Sequence, residues 1–172
     1  HLLDSLTLIP LLRDQSKIID IGSGAGLPVL PLAINMPEKS FCSVDSVGKK
    51  INFQQHIKRT LRITNLEIYC ERIRDSGLDR PGWNDVDVVI ARAVTSLEDL
   101  LKIALPLLRS GGMLIAMKGP EVEKELRNIS GHWEDYYDFP LQINKYQLPF
   151  TRAGRSQVVA VKKKQSCYSE NC

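Results

Sequence analysis

The segment Lys17–Pro28 constrains the fold of this chain more than any other stretch. It begins with a short run, Lys17–Ile21, whose β-branched apolar residues predict a buried strand. Glycines at the alternate positions 22, 24 and 26 predict a tight turn whose backbone can approach a ligand closely. Apolar residues return between Val29 and Met36 and predict a helix. Strand, glycine turn and helix together indicate the opening of a nucleotide-binding α/β domain.

The spacing of this turn separates the classes of nucleotide. Enzymes that bind dinucleotides use G-x-G-x-x-G and rest the pyrophosphate on free N–H groups of the helix. This chain has G-x-G-x-G, and Pro28 and Pro31 remove two N–H donors from the start of the helix. The turn therefore favours a nucleoside ligand without phosphate, which points to S-adenosylmethionine. The glycine pattern alone does not decide the matter, because such turns also serve packing.

An acidic residue closes the second predicted strand, Ser40–Val44. Asp45 follows the glycine turn by about 20 residues, where a carboxylate can accept hydrogen bonds from ribose hydroxyls. Asp45 or the adjacent Ser46 could instead cap the next helix, and the sequence leaves both roles open.

The predicted helix over residues 47–62 has an apolar side and a basic side. Its inward residues are expected to be Val47, Ile51, Ile57 and Leu61, and its outward residues Lys50, Gln54, Lys58 and Arg62. The outward residues suit either a solvated face or contact with a phosphate backbone.

The rest of the chain continues the alternation of strands and helices. Strands are predicted at Leu66–Cys70, Val86–Ala91 and Met113–Met117, after a Gly111-Gly112 turn, and helices at Leu97–Leu108 and Glu121–Ile129. Two final β segments, Tyr136–Leu148 and Gln157–Lys163, have no helix between them and so predict an antiparallel pair. This is the layout of class I methyltransferases: α/β and Rossmann-like, with a mostly parallel seven-stranded sheet and an antiparallel C-terminal strand. We expect one domain over residues 1–163 and a disordered tail over 164–172.

Composition narrows the class of protein but does not indicate a function. The net charge of +3 neither requires nor opposes a nucleic-acid partner. No run is long enough to span a membrane and no signal peptide is visible. The four scattered cysteines fit a reducing cytoplasm best. Cys42 and Cys70 lie in apolar runs and are expected to be buried thiols, and no cysteine spacing suggests a metal. The chain opens without Met in a helical pattern, with Leu2, Leu6 and Ile9 on one face, and resembles a fragment that lacks an N-terminal segment.

Several short motifs occur together in a characteristic order. They are His1-Leu2-Leu3-Asp4-Ser5, Ile19–Pro28, Val44-Asp45-Ser46, Arg92-Ala93-Val94 and Lys118-Gly119. In this order they resemble the bacterial small-subunit ribosomal RNA methyltransferase G family, also called glucose-inhibited division protein B. The similarity spans about residues 1–161. Members of that family methylate N7 of one guanine in the small-subunit RNA with S-adenosylmethionine.

The resemblance implies specific roles for residues of this chain. With the glycine turn, it implies a cofactor site made of Gly22, Gly24, Gly26, Leu27, Asp45, Ser46, Ile73, Arg74 and Arg92. Arg92, which follows a central strand, is expected at the cofactor or at the target base. Arg74 departs from the family, which carries an acid there, and a guanidinium cannot accept a hydrogen bond from adenine. The expected partner is small-subunit ribosomal RNA or the assembling subunit, bound by a monomer without a metal or a membrane.

Three alternatives remain at the level of the sequence. A small-molecule methyltransferase, or one acting on another RNA, would use the same fold, although no lid-sized insertion is evident. A nicotinamide-dependent oxidoreductase is disfavoured by the two prolines at the turn. For Arg92 alone, the alternative is a surface salt bridge with Asp75 or Glu98.

Overall fold

The protein folds around a single seven-stranded sheet in the order β3-β2-β1-β4-β5-β7-β6. A computed structural model describes residues 1–73, 82–92, 94–148 and 154–164. The strands are β1 Lys17–Ile21, β2 Ser40–Asp45, β3 Leu66–Cys70, β4 Val86–Arg92, β5 Leu108–Lys118, β6 Gln142–Gln147 and β7 Gly154–Val161. The helices are α1 Leu2–Leu6, α2 Ile9–Leu12, α3 Val29–Asn35, α4 Gly48–Thr60, α5 Leu97–Ala104 and α6 Val122–Arg127.

The sheet has the mixed topology that the sequence predicts. Strands β1 to β5 are parallel to their neighbours, while β7 runs antiparallel to both β5 and β6. Because β1 and β4 are central, their carboxyl ends meet where the strand order reverses, and open α/β sheets bind ligands at that position.

Helices cover both faces of the sheet, which explains why the central strands are apolar on both sides. One face packs Ile19 and Ile21 of β1 against Leu97 and Leu101 of α5. The other packs Ile18 with residues of α2, α3 and α4. The described residues contain no helix long and apolar enough to cross a membrane.

Two glycines that suggest a turn before β5 lie inside that strand instead. β5 begins at Leu108, so α5 ends earlier than predicted, at Ala104. The pairing of β4 with β5 shifts register between Val86 and Val88. A Cβ on Gly112 would lie 3.0 Å from the carbonyl oxygens of Val86 and Asp87. The glycine therefore allows the two backbones to approach at this irregularity.

The helix α4 is shorter than predicted, so that Val47 and Leu61 lie just outside it, and its buried side includes Gln54 as well as Ile51. Val47 and Leu61, expected to face inward, are exposed, whereas Gln54, expected to face outward, is fully buried. Burial of this amide is possible because its polar atoms are hydrogen-bonded, as described below.

The burial predicted for the two cysteines holds at one of them only, and the apolar face of the first helix is not its buried side. Cys42 is buried as expected, but Cys70 is exposed. Leu2 is exposed, and the buried residues of α1 are Asp4 and Ser5. Asp4 is accommodated there because its Oδ1 accepts a hydrogen bond of 2.7 Å from the hydroxyl of Tyr146.

Candidate functional site

Two adjoining cavities open at the carboxyl ends of the central strands. The larger has a volume of about 560 Å³ and the smaller about 400 Å³. Gly22 and Lys50 line both, so the two cavities are neighbours separated by the start of the glycine turn.

The larger cavity has apolar walls and a few polar groups. Ile21, Val44, Ile73, Val94 and Ile103 supply apolar surface, and Asp45, Ser46, Glu71, Arg72 and Thr95 supply polar groups. Gly22, Asp45, Ser46 and Ile73 are thus brought together here, as the sequence predicted. Such a pocket suits a flat ring system that carries hydroxyl groups at one end.

Asp45 connects the glycine turn to the start of α4. Its Oδ2 accepts a 2.8 Å hydrogen bond from the N–H of Gly24, and its Oδ1 accepts one of 2.8 Å from Val47. The bond from Val47 is not the helix cap that the sequence left open, because Val47 is the N-cap residue of α4 and no side chain caps the helix. Each carboxylate oxygen has a further lone pair, so these bonds leave capacity for ligand hydroxyls.

A buried polar cluster of Gln54, Ser23 and Ser43 holds the glycine turn in place. Gln54 donates from Nε2 to the carbonyl of Gly24 at 2.8 Å and to the Ser23 hydroxyl at 2.9 Å. Its Oε1 accepts from the Ser43 hydroxyl at 2.6 Å. Gly24 is therefore held on both sides, by Asp45 at its N–H and by Gln54 at its carbonyl. Its backbone has φ of +60°, and a Cβ there would meet nothing within 4 Å, so the constraint is conformational rather than steric.

The smaller cavity is rich in cationic groups. Gly22, Gly24, Leu27 and Arg92 line it, together with His1, Asp4, Lys50, Lys118 and Arg155. Lys118 is held in place by bonds of 2.7 Å to the carbonyl of Thr95 and to a carboxylate oxygen of Glu125. This concentration of positive charge favours an anionic or electron-rich ligand.

Arg92 faces the smaller cavity and is not paired with the acid proposed as its alternative partner. Its Nη1 donates to Nδ1 of His1 at 3.2 Å. Glu98 instead accepts from the hydroxyl of Ser130 at 3.2 Å and from the N–H of Gly131 at 3.0 Å. The salt bridge between Arg92 and Glu98 is thus ruled out, and Asp75 lies outside the described residues.

Asp20 lies in β1, two residues before Gly22, and is completely buried. Its Oδ2 accepts from the N–H of Val29 at 3.3 Å, and its Oδ1 has no hydrogen-bond partner among the described residues. Burial raises the pKa of this carboxyl to about 8, although the bond from Val29 and the charge of Arg92 oppose that shift.

Among the predicted site residues that the structure describes, Gly26 alone lines neither cavity. Gly26 is buried and lies against Leu30 of α3, which leaves it a role in the turn itself. Arg74 lies outside the described residues. Sequence reasoning missed Gln54, which the structure puts beneath the turn. A signal was present, because Gln54 follows the inward Ile51 by three residues and so shares its face of the helix.

The sequence matches one family over residues 1–153, and that family is described as rRNA small subunit methyltransferase G, or GidB. The chain belongs to this family. The "Ribosomal RNA small subunit methyltransferase G" of Syntrophotalea carbinolica is 44% identical over 163 residues, covering 95% of this chain and 75% of the relative. The protein of the same name from Desulforamulus reducens is 36% identical over 168 residues, covering 96% of this chain and 70% of that one.

Solved structures agree with the fold of this member of the methyltransferase G family. An rRNA methylase from Streptococcus thermophilus superposes with a TM-score of 0.65 at 18% identity, covering 94% of this chain and 95% of that one. A SAM-dependent O-methyltransferase from Thermotoga maritima has a TM-score of 0.69 at 16% identity, covering 93% of this chain and 64% of that one. These similarities confirm the class I methyltransferase fold that the element order predicts.

Proposed function

We propose that this protein transfers the methyl group of S-adenosylmethionine to N7 of a guanine in small-subunit ribosomal RNA. The observation that carries the proposal is the pair of adjoining cavities, one suited to a nucleoside and one cationic, in a chain of the methyltransferase G family. The protein is expected to act in the cytoplasm as a monomer, on RNA or on the assembling subunit.

The larger cavity fits the cofactor in size and chemistry. Its volume lies within the range of ligand pockets, and its apolar side chains can enclose an adenine ring. Asp45, at 7% exposure, can accept from the ribose hydroxyls while it keeps its bonds to Gly24 and Val47. Ser46 and Ile73 line the same cavity, which supports them as further contacts with the cofactor. When bound, S-adenosylmethionine supplies a sulfonium-activated methyl group.

The smaller cavity is the proposed place of the acceptor guanine. Arg92 can donate to guanine O6, which lies beside N7, or to a neighbouring phosphate. N7 carries a lone pair and no proton, so its attack on the methyl carbon requires no general base. The carbon–sulfur bond breaks as the nitrogen–carbon bond forms, and the positive charge passes from sulfur to the guanine ring. The protein's contribution is then to align the two reactants and to exclude other geometries.

The test is to incubate the protein with tritiated S-adenosylmethionine and small-subunit RNA and to map the labelled position. We expect label at N7 of one guanine and a loss of at least about ten-fold in rate for Arg92→Lys, because lysine lacks the forked donors. Thermal unfolding of the variant controls for folding. Label on another RNA position or only on small molecules would refute the proposal, and near-normal transfer by Arg92→Lys would remove Arg92 from the site.

A further inference from the structure

The positive charge of this protein is concentrated in one segment. Between Asp45 and Glu67 the sequence has no acidic residue but has five basic ones, Lys49, Lys50, Lys58, Arg59 and Arg62. The rest of the chain has 18 Lys and Arg against 20 Asp and Glu. The net charge of +3 therefore comes entirely from the segment that contains α4.

One face of α4 combines these charges with an exposed aromatic ring. Lys49, Phe53, His56 and Arg59 recur at intervals of three or four residues, and all four are exposed. We call them the α4 face. The ring of Phe53 is 49% exposed, although phenylalanine is a residue that folding ordinarily buries. Among the described residues, neither Lys49 nor Arg59 forms an ion pair.

The α4 face lies next to residues at the start of the helix that line the two cavities, although its own four residues line neither. Val47, just before the helix, lines the larger cavity, and Lys50 lines both cavities. Lys50 is adjacent in sequence to Lys49 and three residues before Phe53. A polymer with one unit in the smaller cavity can therefore continue along the helix.

The chemistry of the proposed acceptor indicates which form of RNA would meet this surface. N7 of guanine lies on the major-groove edge, and the major groove of an RNA duplex is too deep and narrow for protein groups to reach. The acceptor must therefore be unpaired. Its unpaired neighbours expose base faces that stack on aromatic rings, and their phosphates attract Lys and Arg.

We propose that the α4 face binds single-stranded RNA next to the acceptor guanine, with a base on Phe53 and phosphates at Lys49 and Arg59. The proposal rests on the RNA substrate of the proposed function. The residues of the α4 face differ from the outward face expected from the sequence, which included the buried Gln54.

The test compares Phe53→Leu with Phe53→Trp and with the control Phe139→Leu. Phe139 is 42% exposed and lines neither cavity, so it matches Phe53 in type and exposure. We expect Phe53→Leu to raise the KM for RNA about ten-fold, with Phe53→Trp and Phe139→Leu near the wild type. The affinity for S-adenosylmethionine and the thermal midpoint should not change in any of the three.

The charges are tested by the salt dependence of RNA binding. Replacing Lys49 and Arg59 by Gln should reduce the slope of log affinity against log salt by about 1.4, at about 0.7 per phosphate contact on a single strand.

Distinct outcomes separate this inference from the function on which it rests. If the wild type methylates RNA and Phe53→Leu has the wild-type KM, the α4 face is not an RNA surface and the proposed function stands. If Phe53→Leu only lowers the thermal midpoint, the ring serves packing and the inference is also overturned. If the wild type methylates no RNA, the proposed function fails, and unchanged binding of single-stranded RNA by Phe53→Leu would overturn the inference as well.

Discussion

Asp20 is a carboxylic acid enclosed in the apolar layer between the sheet and α3. An ionised carboxylate at such a position loses its hydration, so the folded state favours the protonated form. Burial accordingly raises the pKa of Asp20 to about 8, against an ordinary value near 3.8. At neutral pH the folded protein therefore holds a proton there that the unfolded chain has released.

This difference in proton binding makes the stability depend on pH. A pKa raised on folding gives stability that is complete below the unfolded pKa and is lost as pH rises towards the folded one. Relative to Asp20→Asn, the wild type should lose about 1.4 kcal/mol per pH unit between about pH 5 and 8. Urea unfolding of both proteins across that range measures the difference.

The exposed Asp14→Asn variant is the control for the simple loss of one carboxyl group. A stability difference between wild type and Asp20→Asn that stays constant across this range would contradict the assignment. It would mean that Asp20 is ionised in the fold, with the charge of Arg92 compensating for burial.

At the scale of the element, the buried side of α4 also contributes to the site, because it holds the glycine turn. Gln54 reaches from the helix to the carbonyl of Gly24, while Asp45 at the end of β2 holds the N–H of the same residue. Two elements therefore hold one residue of the turn, through the peptide groups on either side of it. A turn fixed before the ligand binds loses less conformational entropy on binding.

Replacing Gln54 by Leu should therefore weaken cofactor binding. The partly buried carbonyl of Gly24 would lose its donor, and the turn would then have to be ordered when the ligand binds, so we expect the affinity for S-adenosylmethionine to fall about ten-fold. Calorimetric titration below the unfolding range of both proteins measures this effect. Gln55→Leu changes the neighbouring, partly exposed residue of the same helix and should bind normally. Wild-type affinity in a Gln54→Leu protein of lower stability would limit Gln54 to packing.

The elements differ in how far the sequence could specify them. The bounds of β1 and β3 are those predicted, because these strands are short β-rich runs between turn residues. The helical period places Gln54 on the same side of α4 as the inward Ile51. Its partners Gly24, Ser23 and Ser43 could not be predicted, because they come from distant parts of the chain. The turn predicted at Gly111 and Gly112 is wrong for a similar reason, because the irregular pairing of β5 with β4 depends on tertiary structure.

The residues of the candidate site also differ in how far the sequence could predict them. Gly22, Asp45, Ser46 and Ile73 could be predicted because they follow strands whose carboxyl ends must converge. Lys118, at the carboxyl end of β5, carries the same signal, whereas Arg155 carries no local signal because its position depends on how β7 pairs with β5.

At the scale of the whole molecule, the two ends of the described chain meet beside the smaller cavity. Asp4 of α1 accepts from the hydroxyl of Tyr146 in β6 at 2.7 Å, and Thr7 accepts from Gln157 in β7 at 2.8 Å. Burial raises the pKa of Tyr146 to about 12, so its hydroxyl keeps the proton that it donates. His1 and Asp4 line the smaller cavity, and these two bonds therefore help to form its wall.

Removing one hydroxyl should separate the roles of the two cavities. Tyr146→Phe leaves Oδ1 of the buried Asp4 without its donor, while Arg155 remains 3.9 Å from Oδ2, and the loss should cost about 1–3 kcal/mol of stability. Because α1 then loses a contact beside the smaller cavity, methyl transfer to RNA should fall while affinity for S-adenosylmethionine is unchanged. Tyr136→Phe, at a residue that is 51% exposed, is the matched control. Thermal unfolding, cofactor titration and transfer rate on the folded fraction make the comparison. Equal losses of cofactor affinity and transfer rate would show that α1 supports the glycine turn instead.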